Sequence, residues 1–149
     1  MMILAHTLCS LLSYVAFLIA FVTGILFLIQ ERQLKRRRVV GWLFHRLPSL
    51  QTLDDLNFLA IGAGFGLLTL GLAFGVWESE ALLGRWWLGD AKEYLAMGVW
   101  ASYLILWLMR LRATLRGRRV ALLSVMGFSL VLFTLVGASR WLPSLHPYL

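Results

Sequence analysis

The chain has 149 residues, of which 60% are hydrophobic and only 14% are charged, and its mean hydropathy is +0.80. A soluble domain of this length has too little interior to bury so much apolar surface, so the composition predicts an integral membrane protein. The formal net charge of +7 would suit a nucleic-acid partner. However, the Lys and Arg residues cluster beside apolar runs, as topology signals do, and we therefore expect no nucleic-acid binding.

The first apolar run contains no Asp, Glu, Lys or Arg before Glu31. It is long enough to span a hydrocarbon core about 30 Å thick. A secretory signal peptide is the alternative interpretation, but no basic residue precedes the apolar core and the run is too long. The sequence therefore predicts a first transmembrane helix at about residues 7–29.

Two segments next to apolar runs are rich in basic residues, and the positive-inside rule places both in the cytoplasm. These residues are Arg32, Lys35, Arg36, Arg37, Arg38 and Arg46 in the first segment, and Arg110, Arg112, Arg116, Arg118 and Arg119 in the second. Within the first cytoplasmic loop, Leu47, Leu50, Leu53 and Leu56 recur every third residue, and Pro48 stands at a plausible helix start. This pattern predicts a short amphipathic helix on the membrane surface, leading into the second span.

The remaining apolar runs complete an all-α bundle. The predicted fold is one domain, residues 1–149, with four transmembrane helices and with both chain termini on the outer side of the membrane. The spans are residues 7–29, 57–77, 92–109 (starting as early as Ala91) and 120–138; the cytoplasmic loops are 31–55 and 110–119, and the outer loop is 78–91.

Glycines on the second predicted span are spaced four residues apart, as Gly62/Gly66 and Gly71/Gly75. Such pairs let a neighbouring helix approach closely. The alternative interpretation is a smooth face that leaves room for a flat ligand near Trp77.

The predicted outer loop ends in a motif that we call the tryptophan loop, residues 84–93, with the sequence Gly-Arg-Trp-Trp-Leu-Gly-Asp-Ala-Lys-Glu. Indole rings beside charges favour the headgroup region of a bilayer, and they also suit a flat amphiphile with carboxylate arms. The predicted topology brings His6 and His146 to the same side, with the cations Arg85, Lys92 and Arg140. His45 belongs to the cytoplasmic side.

Each histidine alone is most simply an amphipathic anchor. Together, two neutral imidazoles can ligate a transition metal, and they can cap a planar metal macrocycle from opposite faces. Tryptophans would then cover the apolar edge, and cations would pair with carboxylates. A closed zinc site is less favoured because it usually takes four ligands. Hydrolytic motifs are absent from the sequence, and the single cysteine, Cys9, excludes an internal disulfide and is interpreted as a packing residue.

The same residues resemble the membrane core of the cytochrome c assembly proteins, the CcsA, CcmC and HemX-like group. The loop of that family runs approximately W-G-x-x-W-x-W-D-P-K-E. Positions 83–93 are similar to it, with family residues at Gly84, Trp87, Asp90, Lys92 and Glu93; Leu83, Gly89 and Ala91 replace two tryptophans and the proline. The segment from His6 to Tyr14 is similar to the family's first external histidine segment. Residues 127–148 are similar to its last helix and second external histidine, His146.

The resemblance implies haem as a cofactor, held on the side where cytochromes c mature. The implied axial ligands are His6 and His146, and the full implied binding set is His6, His146, Trp86, Trp87, Asp90, Lys92 and Arg140. It further implies a bacterial inner-membrane protein that hands haem to apocytochrome c beside other biogenesis proteins, at most as one component of a haem lyase assembly. The alternatives are a non-catalytic scaffold or regulator descended from the family and, less favoured, an electron carrier with two haems within the bundle.

Overall fold

The computed structural model describes residues 2–35, 48–86, 89, 91–112 and 117–134. Regular structure in these residues is helical throughout, as predicted. The four helices are α1 (Met2–Lys35), α2 (Leu50–Leu83), α3 (Ala91–Leu111) and α4 (Arg118–Leu132). The first three are long and apolar enough to cross a membrane. Helix α4 covers the first part of the fourth predicted span.

Successive helices run antiparallel. Near the start of α1, His6 contacts Gly71 toward the end of α2, whereas at the end of α1 Gln30 donates a hydrogen bond to the carbonyl of Pro48. One end of the bundle therefore carries the connection between α2 and α3, and we call it the loop end. The other end carries the C-terminal ends of α1 and α3 and the N-terminal ends of α2 and α4, and we call it the basic end.

The apolar core lies among all four helices. Phe17 of α1 is fully buried and stacks on Tyr103 of α3, with ring centroids 3.7 Å apart. Gly127 of α4 faces the same tyrosine ring, where a Cβ would lie 3.3 Å from it. The other buried members of this core are Ala20, Ala60, Ile61, Leu68, Val99, Leu106, Val120, Phe128 and Val131.

A buried amide joins three of the helices. The side-chain nitrogen of Asn57 on α2 donates to the carbonyl of Ala20 at 2.6 Å, and lies within 3.3 Å of Thr23 Oγ1 and 3.1 Å of Ser124 Oγ. Hydrogen bonds between membrane helices add an attraction that apolar contacts alone lack, because lipid tails are as apolar as the side chains. Asn57 therefore fixes the register of α1, α2 and α4.

The separate surface helix predicted around Leu50, Leu53 and Leu56 is wrong. Residues from Leu50 onward form the first turns of α2, with Ser49 as the N-cap whose hydroxyl accepts from the Thr52 amide. Leu53 is buried against Phe27 and Ala121 and Leu50 packs on the same cluster, whereas Leu56 is exposed, so part of the leucine repeat packs inside the bundle. No helix breaker separates it from the apolar run that follows, and the helix therefore continues without interruption.

Helices α1 and α2 also extend past the predicted spans. Each has 34 residues, which is about 50 Å of helix and more than a hydrocarbon core about 30 Å thick requires. Lys35 and Glu31 form an ion pair one turn apart that supports the last turn of α1. The rest of the first predicted cytoplasmic loop, residues 36–47, and residues 113–116 of the second lie outside the described residues.

Two glycines of α2 provide a matched test of packing. A Cβ on Gly64 would lie 2.5 Å from the ring of Phe17, which the stack on Tyr103 holds in place, whereas a Cβ on Gly66 would have no atom within 4 Å. We expect Gly64→Ala to lower the free energy of unfolding by about 1–3 kcal/mol through overpacking. Gly66→Ala should raise it by about 0.4–1 kcal/mol, because alanine restricts the unfolded chain. Equilibrium unfolding in mixed micelles measures both; equal effects would contradict this packing.

Candidate functional site

The tryptophan loop begins where Gly84 ends α2. Gly84 has φ +64°, in the left-handed region that favours glycine, and its amide donates to the carbonyl of Glu80 at 2.8 Å. The hydroxyl of Ser79 donates to the carbonyl of Arg85 at 2.9 Å, which holds the following residue against the end of the helix. These two hydrogen bonds therefore fix the direction in which the backbone continues from α2 to Trp86.

The other end of the loop is tied to the start of α3. Gly89 has φ +73°, and its amide donates to a carboxylate oxygen of Glu93 at 3.0 Å. A carboxylate in the first turn also suits the positive end of the helix dipole. Both glycines of the loop thus serve its geometry, Gly84 before and Gly89 after residues 87–88; these two residues and residue 90 lie outside the described part of the chain.

Between the loop-end halves of α2 and α3 lies a cavity of about 630 Å³, which we call the α2–α3 cleft. This volume is within the range of small-molecule and cofactor sites. Its surface is almost entirely apolar, and among its described lining residues Glu80 alone is charged. The lining residues are Thr69, Leu72, Ala73, Val76, Trp77 and Glu80 from α2, Trp86 from the tryptophan loop, and Met97 and Trp100 from α3.

The deep end of the cleft is closed by an interhelical hydrogen bond. The indole nitrogen of Trp100 donates to the hydroxyl of Thr69 at 2.9 Å. Below this contact, Phe65 packs between Trp100 and Trp107, with ring centroids 5.7 Å and 5.6 Å apart. The aromatic contacts hold α2 and α3 together up to Trp100, and the helices separate above it.

His6 is oriented by a backbone carbonyl. Its Nδ1 lies 2.7 Å from the carbonyl oxygen of Gly71, which only accepts hydrogen bonds, so Nδ1 carries the proton and donates. A Cβ on Gly75 would lie 2.9 Å from the imidazole ring, so glycine at this position leaves the space that the ring occupies. Nε2 of the neutral ring is left with its lone pair, which is the arrangement common to metal-ligating histidines.

Helical geometry relates His6 to the cleft. His6 is not a lining residue of the cleft; it contacts Gly71 and Gly75, which directly precede the lining residues Leu72 and Val76. Adjacent residues lie about 100° apart around a helix with 3.6 residues per turn. Taken over all the lining residues of α2, the cleft face is therefore roughly opposite Gly71 and Gly75, so His6 and the cleft are at the same height of α2 but on different sides of it.

The two glycine pairs of α2 have different surroundings. Gly71 and Gly75 receive α1, with Ser10, Cys9 and His6 against them, which is the close packing expected of small residues. Gly62 faces the indole of Trp107, whereas the position of Gly66 is open.

Of the predicted binding residues, the structure describes the side chains of two. His6 is partly buried against α2, and Trp86 is 63% exposed while lining the cleft. Lys92 begins α3, but its side chain and the predicted residues Trp87, Asp90, Arg140 and His146 lie outside the described part of the chain. Arg85 is exposed to solvent. No group of three or more His, Cys, Asp or Glu side chains converges among the described residues.

Sequence reasoning missed Trp100 and Thr69. Both stand inside predicted spans, and neither was singled out in the sequence. One signal was available: Trp favours the membrane interface, whereas Trp100 lies near the middle of the 21-residue α3. A tryptophan at that depth indicates a buried contact or a site.

A family model described as "Cytochrome C assembly protein" matches residues 1–146. A protein named "Cytochrome c biogenesis protein CcsA" from Prochlorococcus marinus subsp. pastoris is 41% identical over 99 residues, covering 66% of this chain and 31% of the relative. The protein of that name from Thermosynechococcus vestitus is 38% identical over 104 residues, covering 69% and 32%. The one from Guillardia theta is 30% identical over 161 residues, covering 98% and 53%.

The chain therefore spans between about a third and about half of the length of these relatives. No solved structure matches it. Its relatives, together with the three described helices that are long and apolar enough to cross a membrane, make it an integral, multi-pass membrane protein. Since the family model covers nearly all of the sequence, this chain belongs to the cytochrome c assembly protein family.

Proposed function

We propose that this chain is a haem-handling membrane subunit of a cytochrome c maturation system. It holds haem at the outer face of the membrane and presents it to apocytochrome c. Membership of the cytochrome c assembly family and relatives named as cytochrome c biogenesis proteins support this role. In bacteria the location would be the inner membrane, with the basic end of the bundle in the cytoplasm and the loop end outside.

The single observation that carries the proposal is the orientation of His6. Its Nδ1–H donates to the carbonyl of Gly71, so Nε2, which has no hydrogen-bond partner among the described residues, would be the ligand atom. Such a hydrogen bond fixes the tautomer and raises the basicity of the ligating nitrogen. An anchoring histidine at a membrane surface has no need of this fixed tautomer. The chemistry of His6 therefore suits an axial haem ligand.

The other binding residues would complete the site. His146 would be the second axial ligand, Trp86 and Trp87 would cover the apolar edge, and Lys92 and Arg140 would pair with the haem carboxylates, with Asp90 in the same loop. When bound, haem would supply the iron and the two vinyl groups to which the thiols of apocytochrome c add to form thioethers. The chain contains a single cysteine, so the thiols that receive haem must come from apocytochrome c.

The chain would work inside a larger assembly. The chain spans about a third to half of the length of its relatives, and further membrane proteins of the biogenesis system would act beside it in thioether formation. Within that assembly the chain would be at most one component of the haem lyase. The lipid bilayer covers the remaining apolar helix faces.

A non-catalytic scaffold is the alternative, and the altered loop favours it. Leu83, Gly89 and Ala91 stand where the family pattern has two tryptophans and a proline, so the loop offers fewer indoles to a porphyrin. A scaffold would retain the helix packing at Gly71 and Gly75 without binding haem.

Titration with hemin distinguishes these functions. We expect the detergent-purified protein to bind about one haem per chain and to develop the Soret and α bands of a six-coordinate, low-spin haem on reduction. A protein that stays folded and takes up no haem would be a scaffold.

A further inference from the structure

We propose that α1 pairs with α1 of a second copy of this chain, side by side in the membrane, through the face that α1 turns away from its own bundle. This pairing goes beyond the proposed function and does not depend on haem binding. Its basis is a row of aliphatic residues that has the spacing and the residue types of a two-stranded coiled coil.

The row runs along the exposed side of α1, and we call it the α1 seam. Its residues are Leu4, Leu8, Leu11, Val15, Leu18, Val22, Ile25 and Ile29. They are spaced alternately four and three residues apart, which is the heptad spacing of a coiled coil. At a rise of about 1.5 Å per residue, the α1 seam is about 38 Å long and covers the whole depth of a hydrocarbon core about 30 Å thick.

The contacts that α1 makes within its own chain lie on the other side of the helix. The buried residues there include Ser13, Phe17, Ala20 and Thr23. At about 100° per residue, this buried side and the α1 seam are about 180° apart. All seam residues except Ile25 are 39% to 66% exposed, and none packs on either apolar cluster of the described bundle. The α1 seam is therefore a face without a partner among the described residues.

The residue types along the α1 seam are those of two parallel helices. The a positions of the heptad hold Leu8, Val15, Val22 and Ile29, and the d positions hold Leu4, Leu11, Leu18 and Ile25. Three of the four a residues are β-branched, and three of the four d residues are leucine. This division favours two parallel strands over higher oligomers. Exposure to lipid alone calls for apolar residues and does not separate β-branched residues from leucine.

A second copy of this chain meets the requirement for a parallel partner. Two copies inserted with the same topology are related by a two-fold axis along the membrane normal, so their α1 helices run in the same direction. Each seam residue then lies beside its own copy across the axis. The next d position is the exposed Arg32, where two copies would bring like charges together. The contact therefore ends at Ile29.

The α1 seam is large enough for a stable pair. Seven half-exposed aliphatic side chains present on the order of 600 Å² per copy, so a pair would bury about 1,200 Å², at the lower end of the range for specific interfaces. Because lipid tails are as apolar as these side chains, the attraction comes from close packing of one helix against the other. His6 lies on the side of α1 opposite the seam, so pairing leaves its contact with Gly71 unchanged.

The first test truncates two knobs of the α1 seam. Leu11→Ala/Leu18→Ala changes two d positions that are exposed in the single chain, so the core is unaffected. Leu59→Ala/Leu70→Ala is the matched control, since both residues are exposed on α2. Copies of the full chain carrying a donor or an acceptor fluorophore are mixed in phosphatidylcholine vesicles, and energy transfer is measured as the ratio of lipid to protein is raised.

We expect the wild type to form dimers, Leu11→Ala/Leu18→Ala to raise the dissociation constant at least tenfold, and Leu59→Ala/Leu70→Ala to stay within twofold of the wild type. A monomeric wild type, or a seam variant that associates as tightly as the wild type, would overturn the pairing.

Cross-linking provides a readout that does not depend on weakening the pair. In a Cys9→Ser background, Leu11→Cys should give a disulfide-linked dimer on mild oxidation, because the two-fold axis brings the two thiols together. Leu59→Cys in the same background should remain a monomer. Cross-linking at Leu59 and not at Leu11 would move the interface to α2 and overturn the pairing through α1.

Discussion

Replacing His6 with alanine is expected to weaken hemin binding by about 100-fold or more and to remove the low-spin spectrum. Loss of even an outer partner of a metal ligand costs about 10- to 100-fold, and loss of the ligand itself costs more. The fold should survive, because His6 is only partly buried and its bond to the Gly71 carbonyl is a single contact near the start of α1. Hemin titration followed at the Soret band measures the effect.

His45→Ala is the matched control, as it removes an imidazole from the predicted cytoplasmic side. Its titration should equal that of the wild type. Added free imidazole should restore a low-spin spectrum to the His6→Ala protein, because it supplies the missing nitrogen. If His6→Ala bound hemin as tightly as the wild type, with the same spectrum, His6 would not be a ligand.

Replacing Asp54 with leucine is expected to lower the free energy of unfolding by about 3–5 kcal/mol, the cost typical of breaking a buried ion pair. Arg110 is 7% exposed at its side chain and pairs with Asp54, while its Nη1 has no hydrogen-bond partner among the described residues. Since a guanidinium keeps its charge in proteins, the substitution leaves a buried cation uncompensated. Asp54 also accepts from the Gly117 amide at 3.3 Å, so α2, α3 and α4 all lose a contact.

Asp55→Leu provides the comparison for this prediction, because Asp55 is the next residue on α2 and its side chain is exposed. It should change the free energy of unfolding by less than about 0.5 kcal/mol. Unfolding in mixed micelles, monitored by tryptophan fluorescence, measures both variants. Equal stabilities for Asp54→Leu and Asp55→Leu would contradict the role of the ion pair.

The helices could be predicted from the sequence because a bilayer requires long apolar runs, and such runs are visible without knowing their neighbours. The ends of each helix were harder to predict. Lys35 and Leu83 extend α1 and α2 into segments read as loops, since nothing in those segments breaks a helix. The leucine repeat before the second span was misread for a similar reason: its periodicity indicates an apolar face but does not say whether lipid or protein covers it. Leu53 is in fact covered by Phe27 and Ala121.

The candidate site was predictable only in part. The charge pattern and the tryptophan loop pointed to the loop end, and His6 was predicted as a ligand from its residue type, its predicted side of the membrane and the family resemblance. Its hydrogen bond to Gly71, sixty-five residues away in the chain, depends on how α1 and α2 are aligned, which no local pattern encodes. The α2–α3 cleft likewise depends on where α3 leaves α2, and that point is set by the contact between Trp100 and Thr69.

The most direct test of the account is the low-temperature electron paramagnetic resonance spectrum of the ferric, haem-loaded protein, compared with the His6→Ala/His146→Ala double variant. This spectrum reports the axial ligands of the iron rather than the mere presence of haem. We expect a low-spin signal typical of two imidazole ligands in the wild type, and its loss in the double variant. The same low-spin signal in both proteins would contradict ligation by His6 and His146.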